Sequence, residues 1–214
     1  MLPARKEKFE RVASRRQGNL TVILENVHDP HNIGAVMRSC DSVGIFDLYV
    51  LYTEPQLNKE RLYLGKRTSA GTRKWLNIHF FTEIEPCFKA VRQRYDTILC
   101  THLGETSKNL YDLDLSQSIA FVFGNERDGV SQEVLPYTDG NFVIPQMGMA
   151  ESLNISVACA VTLYEAFRQR WEKGFYTENP TTTAEEKAGI LDTYIQRHES
   201  KYKPKSVKPK KRSL

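Results

Sequence analysis

Three short stretches of this sequence combine charged or amide side chains with glycines at a spacing that could do chemistry. The first runs Glu25-Asn-Val-His-Asp-Pro-His-Asn-Ile-Gly-Ala-Val-Met-Arg38. Its turn residues, Asp29 to Asn32, precede a helix-like run, so Asn32 can cap a helix and Arg38 follows nearly two turns on. The second, Phe121-Val-Phe-Gly-Asn-Glu-Arg-Asp-Gly-Val-Ser131, puts Gly124 directly after an apolar run and leaves Glu126 on the loop beyond. A glycine there lets a ligand approach the backbone closely. The third, Ile144-Pro-Gln-Met-Gly-Met-Ala-Glu-Ser-Leu-Asn-Ile-Ser-Val-Ala158, gathers Ser152, Asn154 and Ser156 at the expected start of a long helix. Free N–H groups at such a start favour a carboxylate or phosphate. Each stretch alone is also satisfied by an ordinary cap or turn with solvent-facing polar groups.

The elements that must position these residues alternate between strand and helix. Short β-branched or apolar runs at 21–24, 47–51, 78–81, 97–100, 118–123 and 142–144 read as strands. Helices are expected at 4–16, 33–43 (ended by Gly44), 83–94, 152–171 and 184–199. Such alternation predicts an α/β fold with a mostly parallel sheet covered on both faces. In an open parallel sheet, ligands sit where strand C-termini meet helix N-termini, which is where all three stretches fall. The expected organisation is a basic helical extension over 1–17, a catalytic domain over 18–172, a helical extension over 173–200 and a flexible Lys/Pro tail over 201–214.

Composition narrows the partners. The net charge of +4 over 214 residues conceals a strong asymmetry. Residues 1–17 carry six Arg or Lys against two Glu, and residues 201–214 carry seven with no acid, so the body between them is acidic. Basic ends of this kind favour a polyanion through counterion release, although solvated termini carry the same signature. The four cysteines show no CxxC pair, which argues for reduced, buried thiols and a cytoplasmic location. His28 and His31 are close but lack a recognisable third ligand, so no metal is expected. No apolar run is long enough to span a bilayer and the charged N-terminus is unlike a signal peptide, so no membrane is expected.

Together and in this order, the three stretches resemble motifs 1, 2 and 3 of the SpoU/TrmH family of RNA ribose 2′-O-methyltransferases, within the SPOUT superfamily. The matching patterns are Asn followed by Asn-x-Gly-Ala-x-x-Arg, then Phe-Gly-x-Glu-x-x-Gly-x-Ser, then Ile-Pro with Gly-x-x-x-Ser-Leu-Asn-x-Ser-Val-Ala. One departure is Gln146, which separates Pro145 from Met147. The resemblance implies a C-terminal trefoil knot, a homodimer and S-adenosylmethionine as cofactor. It implies catalytic roles for Asn32, Arg38, Glu126, Ser152 and Asn154, and a cofactor wall at Gly124, Ile144, Met147, Ser152 and Leu153.

The short basic N-terminal helix and the C-terminal helix resemble the tRNA guanosine-18 methyltransferases within that family. Relatives acting on rRNA often carry a separate N-terminal domain, and the smallest wobble-position enzymes lack extended ends. By this resemblance tRNA is the expected partner. Arg11, Arg15, Arg16, Arg168 and Arg170 are then expected to grip it, with weaker support for Lys66, Arg67, Arg73 and Lys74. The alternatives are methylation of rRNA or of the wobble nucleotide, and a non-catalytic RNA-binding protein on the same fold. A nicotinamide-dependent oxidoreductase is disfavoured because Val27 to Asn32 contains no Gly-x-Gly-x-x-Gly turn.

Overall fold

A computed structural model of the protein describes residues 1–57, 62–63, 71–104, 106–125, 127–202 and 206–210. The apolar runs become the strands of one parallel sheet: β1 (Leu20–Glu25), β2 (Asp47–Leu51), β4 (Asn77–Phe81), β5 (Thr97–Thr101), β7 (Ile119–Phe123) and β8 (Gly140–Val143). With the short β6 (Lys108–Asn109) they lie in the order β4-β2-β1-β7-β5-β8-β6. β1 and β7 are buried at every position, as a parallel strand covered on both faces must be.

Alternation along each strand divides the interior into two layers. On one face Leu20, Val22, Leu24, Phe121 and Phe123 pack with Ile33, Val36, Met37 and Cys40 of α2 (Pro30–Ser42). The same layer takes Cys159, Leu163 and Ala166 of α4 (Ile155–Glu172). On the other face Ile23, Ala120, Val122 and Ile98 meet Cys87, Phe88 and Val91 of α3 (Ile84–Arg92). Burying each large aliphatic chain in these layers stabilises the fold by about 1.5–3 kcal/mol. All four cysteines are buried free thiols. α1 (Pro3–Ala13) and α5 (Ala184–Glu199) form a smaller third cluster through Phe9, Ala13, Ile190 and Tyr194.

Two helix starts differ from the sequence reading, and both shift the site. α2 begins at Pro30 instead of Ile33, because Asp29 is the cap and accepts from the His31 N–H at 2.8 Å. Proline at the first helical position loses no hydrogen bond and arrives with a suitable φ. Asn32 is therefore inside the first turn and its side chain is released from capping. α4 begins at Ile155 instead of Ser152, capped by Asn154, which accepts from the Ser156 N–H at 2.9 Å.

The basic tail also departs from expectation. Residues 206–210 are docked: β9 (Ser206–Val207) pairs antiparallel with β3 (Leu62–Tyr63), and Pro209 bridges to Phe80 of β4.

Candidate active site

The C-terminal ends of β5, β7 and β8 and the loop before α4 enclose a cleft of about 500 Å³, within the range of small-ligand sites. Gly124, Ile144, Ser152 and Leu153, expected from the sequence to form a cofactor wall, all line it, with Phe142, Ile155 and Ala158 adding apolar surface. Met147 does not. It is 94% exposed, and Gln146 occupies the wall instead, donating from Nε2 to the Ile144 carbonyl at 3.2 Å. The spacing from Pro145 to Gly148 is that of the pattern, so Gln146 stands at its Met position on the wall and Met147 at its variable, exposed position.

Gly124 is required for a reason other than ligand approach. The loop after β7 folds back over it, closed by reciprocal backbone bonds between Asn125 and Gly129 at 3.1 Å. A Cβ on Gly124 would lie 1.9 Å from the Gly129 carbonyl oxygen. Gly129 itself has φ +69°, a conformation that side chains disfavour. Asn125 Oδ1 holds the turn by accepting from the N–H groups of Arg127 and Asp128, both at 2.8 Å. Arg127 also lines the cleft and places a cation at its mouth. Glu126 lies outside the described residues.

The first and third stretches meet directly. Asn154 Nδ2 donates to Asn32 Oδ1 at 3.2 Å, joining the cap of α4 to the first turn of α2. Arg38, on the same helix as Asn32, is exposed, and no side chain pairs with it among the described residues. Its helix reaches the cleft loop through the Asn32–Asn154 bond, and Arg38 itself is not among the residues that line the cleft.

Glu25 and Asn26 open the first stretch, and Asn26 is the leading asparagine of the first pattern, but the sequence assigns neither a role. Glu25 is wholly buried at the end of β1, where it accepts from the Ser131 N–H at 3.2 Å and Asn26 Nδ2 at 2.8 Å. Burial pushes its carboxyl above the ordinary range, against the lowering effect of Ser131 and Asn26, while nearby Glu54 adds repulsion. Asn26, with φ +49°, accepts from the Thr53 and Glu54 N–H groups at 2.9 and 3.3 Å. The two residues tie the first stretch to the second and to the turn after β2. A charged residue ending the apolar run Leu20–Leu24 was the available signal.

The arginines expected on RNA divide into three kinds. Arg11 and Arg15 are exposed. Arg168 is exposed but held by Glu165 and Glu172, each at 2.8 Å, so a phosphate must compete with two carboxylates. Arg16 and Arg170 are corrected to structural roles, being 1% and 0% exposed. Arg16 bonds Tyr194, Asp41 and the Ile45 carbonyl at 2.7, 2.5 and 2.7 Å. Arg170 donates to the Leu115 and Gln117 carbonyls and to Asn19, and burial pushes its guanidinium down to about 10. Both satisfy carbonyls at the N-terminal end of the sheet, remote in sequence and invisible to a motif. Lys66 and Arg67 lie outside the described residues, and Arg73 and Lys74 close a short 3-10 turn before β4.

No group of three or more His, Cys, Asp or Glu suited to a metal occurs among the described residues, and no described helix is long and apolar enough to cross a membrane.

Comparison with known proteins agrees with this geometry. The Thermus thermophilus tRNA (guanosine(18)-2′-O)-methyltransferase is 39% identical over 81% of this chain and 87% of its own length. The crystal structure of the Aquifex aeolicus TrmH/SpoU tRNA modifying enzyme superposes with a TM-score of 0.81 at 35% identity, covering 94% of this chain and 98% of that one. The SpoU methyltransferase AviRb from Streptomyces viridochromogenes, solved in complex with the cofactor AdoMet, gives 0.64 at 28% identity, covering 73% and 62%. The model of the SpoU rRNA Methylase family matches residues 19–164. With that match and those relatives, the chain belongs to the SpoU methylase family and is an RNA methyltransferase.

Proposed function

We propose that this protein methylates the ribose 2′-hydroxyl of guanosine 18 in the D-loop of tRNA, with S-adenosylmethionine as donor and in the cytoplasm. The observation that carries the reading is the Asn154–Asn32 hydrogen bond, which joins the cleft loop to the helix bearing Arg38. The choice of nucleotide rests on the relatives named for it, including the one 39% identical over 176 residues.

The cleft suits the donor. Its volume of about 500 Å³ accommodates a nucleoside with an amino-acid arm, and apolar Phe142, Leu153, Ile155 and Ala158 offer surface for a flat base. Backbone groups at the ends of β7 and β8, near Gly124 and Ile144, are positioned to bind its polar edges. When bound, S-adenosylmethionine supplies an electrophilic methyl group on a sulfonium and needs no metal.

The protein's own residues then do two things. They orient a poorly nucleophilic hydroxyl and stabilise the negative charge that develops on it. A guanidinium stays protonated at neutral pH, so Arg38 acts as a cation that anchors phosphate and meets the developing alkoxide. Asn32 and Asn154 hold α2 and the cleft loop in register, with Ser152 on the cleft wall and Glu126 of the second stretch as polar partners of substrate or cofactor. Arg11 and Arg15 provide phosphate contacts outside the cleft. The trefoil knot implied by the family belongs to the same reading. So does a homodimer, for which Val157, Tyr164 and Trp171 form an exposed apolar stripe at seven-residue intervals on α4.

The test is methyl transfer from labelled S-adenosylmethionine to unmodified tRNA and to rRNA, followed by mapping of the modified nucleotide. Label at guanosine 18 is expected. Label in rRNA alone overturns the assignment.

A further inference from the structure

The C-terminal basic segment reads in sequence as a tether, but its residues 206–210 behave as part of the sheet. Val207 pairs with Leu62 in register, and both belong to the main hydrophobic layer, Leu62 being buried. Pro209 bridges Phe80 in the parallel sense, and the Lys210 N–H donates to the Phe80 carbonyl at 2.7 Å. The edge strand β4 therefore spends part of its free backbone on the chain's own end, a common way of closing a sheet edge.

Alternation then settles which side chains face water. Val207 and Pro209 are partly buried, whereas Lys208 and Lys210 are exposed. The Lys210 ammonium lies 5.9 Å from the centre of the Phe81 ring, so its stem runs along the sheet edge. Phe80 and Phe81 end β4, at the same end of the parallel sheet as the cleft.

A short path links this edge to the first stretch. The Tyr52 ring packs edge-on against Phe80 at 5.6 Å, and its hydroxyl donates to the Val27 carbonyl at 2.8 Å. Val27 lies two residues before Asp29, the cap of the helix that carries Arg38.

We propose that residues 206–210 are a docked edge strand that holds Lys208 and Lys210 at the catalytic end of the sheet as a binding site for the phosphodiester backbone of the RNA substrate, outside the cleft. This rests on the methyltransferase reading above for the identity of the polyanion. Two fixed lysines bind phosphate at a smaller ordering cost than the same charges on a free arm.

Two charge-controlled variants test it by tRNA binding across a salt series. Lys208→Gln with Lys210→Gln keeps the strand and removes the charges. Affinity should fall several-fold at moderate salt, and the slope of log affinity against log salt should flatten by about 1–2. Val207→Gly with Pro209→Gly keeps every charge but removes the docking residues. It should lose comparable affinity, with faster hydrogen exchange at Leu62 and Phe80. S-adenosylmethionine affinity should stay as in wild type for both. Wild-type tRNA affinity in the glycine variant would mean a free arm and overturn the proposal, as would an unchanged salt slope in the glutamine variant. If the wild-type protein transfers methyl to no RNA while both variants still lose binding to it, the catalytic reading fails and this one stands.

Discussion

Arg38 carries a planar, permanently charged fork on the exposed side of α2, and a lysine in its place would retain only a point charge. If the fork holds phosphate and developing alkoxide together, Arg38→Lys should lower kcat roughly a hundredfold or more while leaving S-adenosylmethionine binding intact. Calorimetric binding with single-turnover kinetics separates the two effects, and near-wild-type kcat would reduce Arg38 to a charge. Gly124 gives the complementary case. Because a methyl group there would collide with the Gly129 carbonyl, Gly124→Ala must displace the whole turn. It should cost about 1–3 kcal/mol of stability and weaken cofactor binding at least tenfold, both measurable by calorimetry. The motif residues themselves were readable from the sequence. Their partners were not, since Asn154 reaches Asn32 across 122 positions and Glu25 reaches Ser131 across 106.

At the scale of elements, apolar runs and stop signals located every long strand and helix, because burial on both faces leaves a dense β-branched signature. Helix starts were less legible, since Asp29, Asn32, Ser152 and Asn154 are all competent caps by type and tertiary contacts choose among them. Polar clusters between elements carried no signal at all. The clearest is Asp47 at the start of β2, which takes hydrogen bonds from His79 at 2.6 Å and Asn77 at 2.7 Å and pairs with Arg94 at 2.8 Å. Burial opposes the charge on Asp47, but His79, Arg94 and Asn77 outweigh it and hold the carboxyl below its ordinary value. Its folded value is thus below its unfolded one, so the stability it contributes is present above the ordinary Asp range and lost as pH falls through the folded value. Asp47→Ala should destabilise the protein by about 3 kcal/mol at neutral pH and show a shallower loss of stability between roughly pH 5 and 3 in thermal melts.

For the whole molecule, the charge asymmetry that hinted at a polyanion divides into surface and interior. At the ends Arg11, Arg15, Lys208 and Lys210 are exposed, while Arg16 is consumed by a buried carbonyl, as Arg170 is in the acidic body. Residue type could not separate these groups, because arginine is ordinarily a surface residue and its burial depends on acceptors far away in sequence. The stripe Val157, Tyr164 and Trp171 is apolar and uncovered, and in the homodimer reading it is where two copies meet. Tyr164→Asp with Trp171→Asp should leave a folded monomer by light scattering, with circular dichroism unchanged. A dimer that survives both substitutions would have its contact elsewhere.

The single amide contact between Asn32 and Asn154 also bears on when activity can arise. Its two ends belong to helices that flank most of the sheet, and β7 and β8, which form much of the cleft, come late in the chain. Contacts of such long sequence separation are slow to form. Helical signal should therefore return early in refolding, and the catalytic arrangement should be among the last features to assemble, so that no N-terminal fragment ending before α4 contains it.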